Sequence, residues 1–189
     1  MKGGKKLENK TDKELYQEFL QGNKESFDKI VLMYKNQIIY FIQKYVRDIN
    51  TAEDLAQDVF VYLLIKKENY KFEYSLKTYL YTIAKSKALN YIKRERKIIE
   101  LNESHVEDID KLEEEILRNE RITNLNNTIK TLKPEYQNIL YLIDIEGFSY
   151  KETAHILKKT DTNIKVLIHR ARKALEKNVK KEAYKYERW

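Results

Sequence analysis

The chain has 189 residues, with 37 Lys and Arg against 30 Asp and Glu, and it contains no cysteine, one proline and four glycines. The missing cysteines exclude disulfides, zinc–thiolate sites and a catalytic thiol, and the scarce glycines leave no glycine-rich loop for a nucleotide phosphate. With 35% charged residues and few turn-forming residues, the composition favours an all-α fold. The net charge of +7 indicates an anionic partner without naming one.

The first residues are basic, but no apolar segment follows them, so they do not form a secretory signal. The most apolar region, residues 31–45, is interrupted by Lys, Asn and Gln side chains and is too short to cross a membrane. We therefore expect a cytoplasmic protein.

The first half of the chain predicts four helices. A capping box from Thr11 to Glu14 opens a short helix that breaks at Gly22, and a long helix follows to about Tyr45. A third helix is predicted to begin at Thr51 and to bury the apolar residues Leu55, Val59, Tyr62 and Leu63. Its outer face then carries Asp54 and Asp58, which lie four residues apart.

The fourth helix is predicted from Leu76 to about Lys97, after a polar and aromatic loop over residues 66–75. Residues 85–97 carry six cations against one acid. Aromatic residues accompany them, with Tyr70, Phe72 and Tyr74 before the helix and Tyr79, Tyr81 and Tyr91 on it. Cations beside exposed aromatic rings suit single-stranded nucleic acid, because the cations follow phosphates while the rings stack on unpaired bases. The alternative is that most of these tyrosines belong to the core or its boundary.

Charge is arranged in blocks along the chain. Residues 1–97 carry 20 positive and 13 negative charges (+7), residues 98–120 carry 2 and 9 (−7), and residues 121–189 carry 15 and 8 (+7). Two basic segments therefore flank an acidic one. The acidic segment is interpreted as a linker that becomes helical near its end, or alternatively as a solvated acidic loop.

The last basic segment predicts a helix over residues 122–132, a helix that starts at Pro134 and ends at Gly147, and a short helix opened by the capping box at Ser149. Thr160 can cap a final helix that buries one apolar face. A short helix, a tight turn and a longer basic helix form the helix-turn-helix pattern, although many helix pairs imitate it. In such a unit the start of the second helix meets base edges and later cations meet phosphates. The candidates for base contact are Thr162, Asn163, Lys165 and Val166.

Four strings of the sequence carry a family resemblance. They are AEDLAQDVF (52–60), LKTYLYTIAKSKALNYI (76–92), LKPEY with DIEGFSYKETA (132–136, 144–154) and IHRARKAL (168–175). In this order, they resemble a bacterial RNA polymerase sigma factor of the extracytoplasmic function (ECF) type. The resemblance implies two helical domains, sigma domain two over 11–97 and the helix-turn-helix sigma domain four over 121–182, joined by the acidic linker 98–120.

The resemblance also implies which residues act. It implies that the outer face of the third helix binds the clamp helices of core polymerase through Asp54, Gln57 and Asp58, although the helix dipole offers another reason for Asp54. It implies capture of melted minus-ten DNA by the loop and fourth helix, with the candidates Tyr70, Phe72, Tyr79, Lys85, Ser86, Asn90, Lys93 and Arg94. It implies recognition of the minus-thirty-five duplex by the final helix, with the candidates Thr162, Asn163, Lys165, Val166, His169, Arg170, Arg172 and Lys173.

The chain departs from the family pattern in both domains. Ser86 stands where the family often has Asn, and Tyr79 where it often has Trp. Lys158 replaces a turn glycine, Thr162-Asn163 replaces Gly-Thr, and Val166-Leu167 replaces a Ser-Arg pair. Losing that arginine removes a phosphate or base contact, so an unusual promoter or weaker binding is expected.

Two other function classes share parts of this sequence pattern. A stand-alone helix-turn-helix regulator would bind duplex DNA without the polymerase, usually as a symmetric dimer. A metal-dependent nuclease would need Asp54 and Asp58 as ligands, but the three histidines are scattered without ligand spacing. We therefore expect no enzyme, no metal and no cofactor. The expected partners are core RNA polymerase, duplex and melted promoter DNA, and an anti-sigma factor, which in this family is often anchored in the membrane.

Overall fold

The computed structural model describes residues 10–101 and 128–186, with side chains described for 10–98 and 128–180. These residues form helices and turns without a strand, which confirms the predicted all-α fold. Their contacts divide them into two units, one up to Lys93 and one from Arg94 onward. Most of the predicted acidic linker and the start of the helix predicted over 122–132 lie outside the described residues. Within the described ranges, no helix is both long enough and apolar enough to cross a membrane.

The first unit contains α1 (Asp12–Leu20), α2 (Lys24–Val46), α3 (Ile49–Ile65), a 3₁₀ turn (Lys67–Asn69) and most of α4 (Leu76–Leu101). The long helix α2 packs against both α1 and α3. Their apolar faces meet in a core of fully buried side chains, which include Ile30, Ile38, Phe41, Ile42, Val59, Leu63, Leu80 and Tyr81. Burial of these side chains is the main stabilising contribution, worth roughly 1.5–3 kcal/mol for a large apolar side chain.

Side-chain caps set the helix starts in this unit. The capping box between Thr11 and Glu14 is formed as predicted. The predicted start of α3 at Thr51 is wrong, because the Asp48 carboxylate accepts the backbone N–H of Thr51 at 2.7 Å and the helix begins at Ile49. An aspartate is a better N-cap than a threonine, so the earlier residue becomes the cap.

Helix α4 continues to Leu101, four residues beyond its predicted end at Lys97. The four added residues are Ile98, Ile99, Glu100 and Leu101, and none of them is a glycine or proline that would stop a helix. The helix therefore enters the segment that the charge pattern assigned to the linker.

The second unit contains a helical segment at residues 128–130, α5 (Pro134–Leu140), a π turn (Tyr141–Ile145), α6 (Tyr150–Leu157) and α7 (Asp161–Tyr186). Pro134 occupies the first turn of α5 as predicted. The sequence did not predict the π turn, in which the Glu146 N–H donates to the Tyr141 carbonyl at 2.9 Å. Both α5 and α6 pack against α7 around a core of Ile139, Leu142, Ile156, Ile164, Ile168 and Ala171.

Candidate nucleic-acid interface

The outer face of α3 begins with the predicted polar residues. Asp54, Gln57 and Asp58 are all exposed, while the opposite face of the helix is buried. Because α3 begins at Ile49, Asp54 lies in the second turn, and the first turn contains no acid. The helix dipole acts mainly on charges in the first turn, so it does not account for these carboxylates.

The second half of this face is apolar, which the sequence analysis missed. Val61, Leu64 and Ile65 are exposed at 50%, 48% and 67%. The sequence did contain a sign of this apolar surface. Residues 61 and 63–65 are all apolar, and a single buried face of a helix cannot include all four of them. The α3 outer face, defined as residues 54, 57, 58, 61, 64 and 65, therefore combines acids with exposed apolar side chains.

One carboxylate of the α3 outer face already has a cationic neighbour. The Lys87 ammonium on α4 lies 3.3 Å from the Asp58 carboxylate, and the Asp58 side chain stays 58% exposed. Ion pairs this exposed contribute only about 0–1 kcal/mol. Asp58 is therefore accessible to another cation at little energetic cost.

The loop between α3 and α4 is packed around Tyr70. This ring is only 6% exposed, it stacks on Tyr79 at a centroid distance of 5.1 Å, and its hydroxyl donates to the Tyr74 carbonyl at 2.7 Å. Burial raises the pKa of Tyr70 to about 12 and also raises the pKa of Tyr79. Tyr70 is therefore a core tyrosine, which is the alternative stated above for these residues, although the family resemblance made it a candidate for DNA contact.

Phe72 is the aromatic residue of this loop that reaches the surface. Its side chain is 36% exposed, and its ring lies 4.5 Å from the ring of Tyr70. Its backbone has φ 58°, in the left-handed region, which costs a bulky residue about 1–2 kcal/mol. The loop therefore presents Phe72 at its surface in a strained backbone conformation.

Helix α4 continues this surface with a polar stripe. Ser86, Asn90 and Lys93 are exposed and follow one another at spacings of four and three residues, so they share one face. Tyr79 precedes them on the same face by two turns. The stripe thus connects the aromatic loop to the cationic end of α4, where Arg94 is also exposed.

Lys85 differs from the other candidates on α4. Its side chain is half-buried, and successive helical residues lie about 100° apart, which turns Lys85 away from the stripe at Ser86. The structure therefore places Tyr79, Ser86, Asn90 and Lys93 on one face of α4. Lys85 lies outside that face.

Local caps build the predicted helix-turn-helix. The capping box between Ser149 and Glu152 opens α6, and Thr160 accepts the backbone N–H of Asn163 at 3.2 Å to open α7. Lys158 closes α6 in the left-handed conformation with φ 54°. This conformation suits glycine, which explains why the family pattern has a glycine at the position where this chain has Lys158.

The first turns of α7 present the predicted recognition face. Thr162, Lys165, Val166, His169 and Lys173 are exposed and recur at helical spacing, while Ile164 and Ile168 are buried on the opposite side. Asn163 and Arg170 are also exposed and border this face.

Arg172 is placed differently from the other cations of α7. Its guanidinium donates two hydrogen bonds to the Asp144 carboxylate in the π turn. The hydrogen bond to Asp144 is the main reason why the pKa of Arg172 is raised. The structure therefore gives this arginine a contact inside its own unit, which the sequence analysis did not foresee.

Comparisons with known proteins agree with this architecture. The chain matches the family "Sigma-70 region 2" over residues 30–98 and the family "Sigma-70, region 4" over residues 122–175. The first match covers the α3 outer face, the aromatic loop and α4 almost to its end. The second covers the helix-turn-helix and ends inside α7.

Two curated relatives cover nearly the whole chain. The RNA polymerase sigma factor YlaC of Bacillus subtilis is 30% identical over 164 residues, which span 84% of this chain and 95% of YlaC. The RNA polymerase sigma-H factor of Pseudomonas aeruginosa is 28% identical over 183 residues, which span 90% of this chain and 95% of that protein.

Solved structures share the fold. The sigma factor RpoE of Bartonella quintana, solved with the anti-sigma factor NepR, has a TM-score of 0.66 at 22% identity and matches 82% of this chain and 98% of its own. CnrH, solved with the cytosolic domain of CnrY, has a TM-score of 0.63 at 19% identity and matches 89% of this chain and 97% of its own. With both sigma-70 regions present in order, the chain belongs to the RNA polymerase sigma factors of the ECF type, which are transcription initiation factors that recognise promoters.

Proposed function

We propose that this sigma factor binds core polymerase through the α3 outer face. The carboxylates of Asp54 and Asp58 would meet cations on the basic clamp helices of the polymerase, and the exposed apolar side chains would be buried by the same contact. Acids supply orientation and association rate, while apolar burial supplies affinity. The combination of both on one exposed helix face is the observation that supports this role.

The aromatic loop and the α4 stripe would bind the melted minus-ten strand. Phe72 offers an exposed ring for an unstacked base, and Ser86 with Asn90 offers hydrogen-bonding groups along the helix. Lys93 and Arg94 would follow the phosphates. Tyr70 would support the surface from below rather than stack on DNA, because its ring is buried. The continuity of the stripe from Tyr79 to Lys93 carries this proposal.

The exposed face of α7 would read the minus-thirty-five duplex. The side chains at its start would meet base edges, and an apolar residue such as Val166 fits a thymine methyl group. Lys173 would contact a phosphate one turn beyond His169. Arg172 would instead fix the orientation of α7 through Asp144.

The assignment of domains follows these surfaces. We propose residues 11–97 as the unit for core polymerase and the minus-ten element, and residues 121–182 as the unit for the minus-thirty-five element. Residues 98–120 would connect them as an acidic linker that passes through polymerase channels that otherwise hold nucleic acid. An anti-sigma factor, such as those present in the two similar complexes, would complete the set of partners.

Run-off transcription tests the proposal. Core polymerase with the purified protein should produce transcripts from promoters selected out of a randomised library, and core alone should not. Charge reversal by Asp54→Lys with Asp58→Lys should abolish binding to core, because like charges would oppose the basic clamp helices. Retained core binding by this double variant, or no promoter-dependent transcript from the wild-type protein, would contradict the proposal.

A matched control uses acids on a different surface. Glu25→Lys with Asp28→Lys changes the same charge on exposed residues of α2. This control should leave core binding near the wild-type level if the α3 outer face is the contact, because it alters net charge without touching that face.

A further inference from the structure

The short helix α1 supports the aromatic loop from beneath. Tyr16 on α1 is completely buried, and its hydroxyl donates to the backbone carbonyl of Lys67 at 2.7 Å. Its ring packs edge-to-face on Tyr70 at 5.0 Å and on Phe72 at 6.0 Å. One side chain therefore contacts the start of the loop, its buried ring and its exposed ring.

The second half of the loop is held by the loop itself. The Tyr70 hydroxyl bonds the Tyr74 carbonyl at 2.7 Å, and the Ser75 hydroxyl accepts the backbone N–H of Thr78 at 3.1 Å to start α4. The first half is held in two ways. Locally, the Asn69 side-chain amide donates to the Tyr62 hydroxyl at 3.2 Å. From α1, the Tyr16 hydroxyl donates to the Lys67 carbonyl in the 3₁₀ turn.

Helix α1 is itself anchored to α2 near both of its ends. The Tyr34 hydroxyl donates to the Asp12 carboxylate at 3.0 Å, and the Ser26 hydroxyl donates to the Glu18 carboxylate at 2.6 Å. Tyr16 therefore connects the loop to a fixed part of the domain. All of α1 precedes residue 30, where the match to sigma-70 region 2 begins.

We infer that Tyr16 is a positioning residue for capture of the minus-ten base, acting by holding Phe72 and the loop backbone in the receiving geometry. The inference rests on the proposed function of the loop. Unstacking a base costs free energy, so a preformed receiving surface binds it better than one that must order on contact. Phe72 holds a left-handed backbone conformation, which persists only where neighbouring contacts determine it.

The test removes only the hydroxyl of Tyr16. Tyr16→Phe keeps the ring and therefore the packing, but the Lys67 carbonyl loses its donor. Holoenzyme with this variant should bind a single-stranded minus-ten oligonucleotide about 2- to 10-fold more weakly than wild type, the range expected for one lost hydrogen bond. The oligonucleotide is taken from a promoter that the wild-type holoenzyme selects out of a random library. Core binding should be unchanged.

A matched control separates positioning from stability. Asp48→Ala also removes one hydrogen bond in the same domain, but that bond joins Asp48 to Thr51 at the start of α3, the end of that helix away from the loop. Thermal unfolding of both variants measures their stability. Asp48→Ala should bind the oligonucleotide like wild type, even where its loss of stability matches that of Tyr16→Phe.

Oligonucleotides that each carry one abasic position give a further measurement. A general loss of stability would not change which position matters most for binding. In wild-type holoenzyme, one abasic position should weaken binding most, which marks the captured base. Tyr16→Phe should reduce that single penalty and leave the others unchanged. Equal affinities of wild type and Tyr16→Phe, or equal defects of Tyr16→Phe and Asp48→Ala, would overturn the inference. If wild-type holoenzyme binds no minus-ten strand, the proposed function of the loop itself fails.

Discussion

The two surfaces that we propose for nucleic acid are built in different ways. In the first unit, the loop between α3 and α4 folds over a cluster of aromatic rings, and only Phe72 reaches the surface substantially. In the second unit, α7 exposes every predicted recognition residue, and Arg172 also bonds the Asp144 carboxylate of its own unit.

The difference fits the form of DNA that each surface is proposed to bind. A duplex has a regular groove, so a helix with one exposed polar face is sufficient to enter it. A melted strand offers separate bases that must be received one at a time, so the receiving loop needs a fixed shape. Buried tyrosines supply that shape, since each combines a large apolar ring with a hydroxyl that can bond a backbone carbonyl.

The largest expected effect tests the buried part of the loop. Tyr70→Ala should lower the free energy of unfolding of the first unit by about 3–5 kcal/mol, because it removes a buried ring. Phe72→Ala should cost about 1–2 kcal/mol, less than Tyr70→Ala, since its ring is partly exposed. Urea unfolding measures both. Equal losses would remove the distinction between a supporting ring and a surface ring.

In the second unit, we expect substitutions to act on DNA binding through the loss of positive charge. Lys173→Gln should lower the slope of log affinity against log salt for duplex promoter DNA by about 1, because one phosphate contact is lost. Arg172→Gln should leave the slope nearly unchanged, because Arg172 faces Asp144. Filter binding or fluorescence anisotropy across a salt series measures both slopes. A larger change for Arg172→Gln than for Lys173→Gln would show that the arginine contacts DNA directly.

The turn of the helix-turn-helix carries removable strain. Lys158→Gly should raise the free energy of unfolding by about 0.5–1 kcal/mol, because glycine adopts the left-handed conformation without a Cβ clash. Lys151→Gly, in the first turn of α6, is the control and should destabilise by about 1 kcal/mol or less. If Lys158→Gly is also destabilising, the left-handed turn is not a source of strain.

The smallest expected effect concerns the pair of Asp144 and Arg172. A double-mutant cycle with Asp144→Asn and Arg172→Gln should give a coupling of about 0.2–1 kcal/mol in unfolding free energy, as for other exposed pairs. A coupling of zero would mean that the pair does not orient α7.

The sequence predicted those parts of the fold that depend on local chemistry. Both capping boxes and the turn before α7 follow from short patterns in which neighbouring residues satisfy each other's hydrogen bonds. The exposed face of α7 follows from the helical spacing of its buried residues Ile164, Ile168 and Ala171. The predicted start of α3 was wrong because Asp48 and Thr51 are both residue types that cap helices, and the sequence pattern did not show that Asp48 is the cap.

The remaining features depend on contacts between residues far apart in the chain. The bond from Tyr16 to Lys67 spans 51 residues, and the bond from Arg172 to Asp144 spans 28. The sequence does not show the role of an individual tyrosine, because the same ring can line a core or receive a base. For Tyr70, the packing around the ring places it in the core. The roles of individual residues in contacting DNA stay predictions.

Site-specific crosslinking tests the division of labour between the two units most directly. A photoreactive amino acid would replace Ser86 on α4 or Val166 on α7, both of which are exposed. The account predicts that the probe at position 86 crosslinks to the non-template strand of the minus-ten element only after melting. The probe at position 166 should crosslink to the minus-thirty-five duplex before and after melting. Exchange of these targets between the probes, or crosslinks from position 86 to unmelted DNA alone, would contradict it.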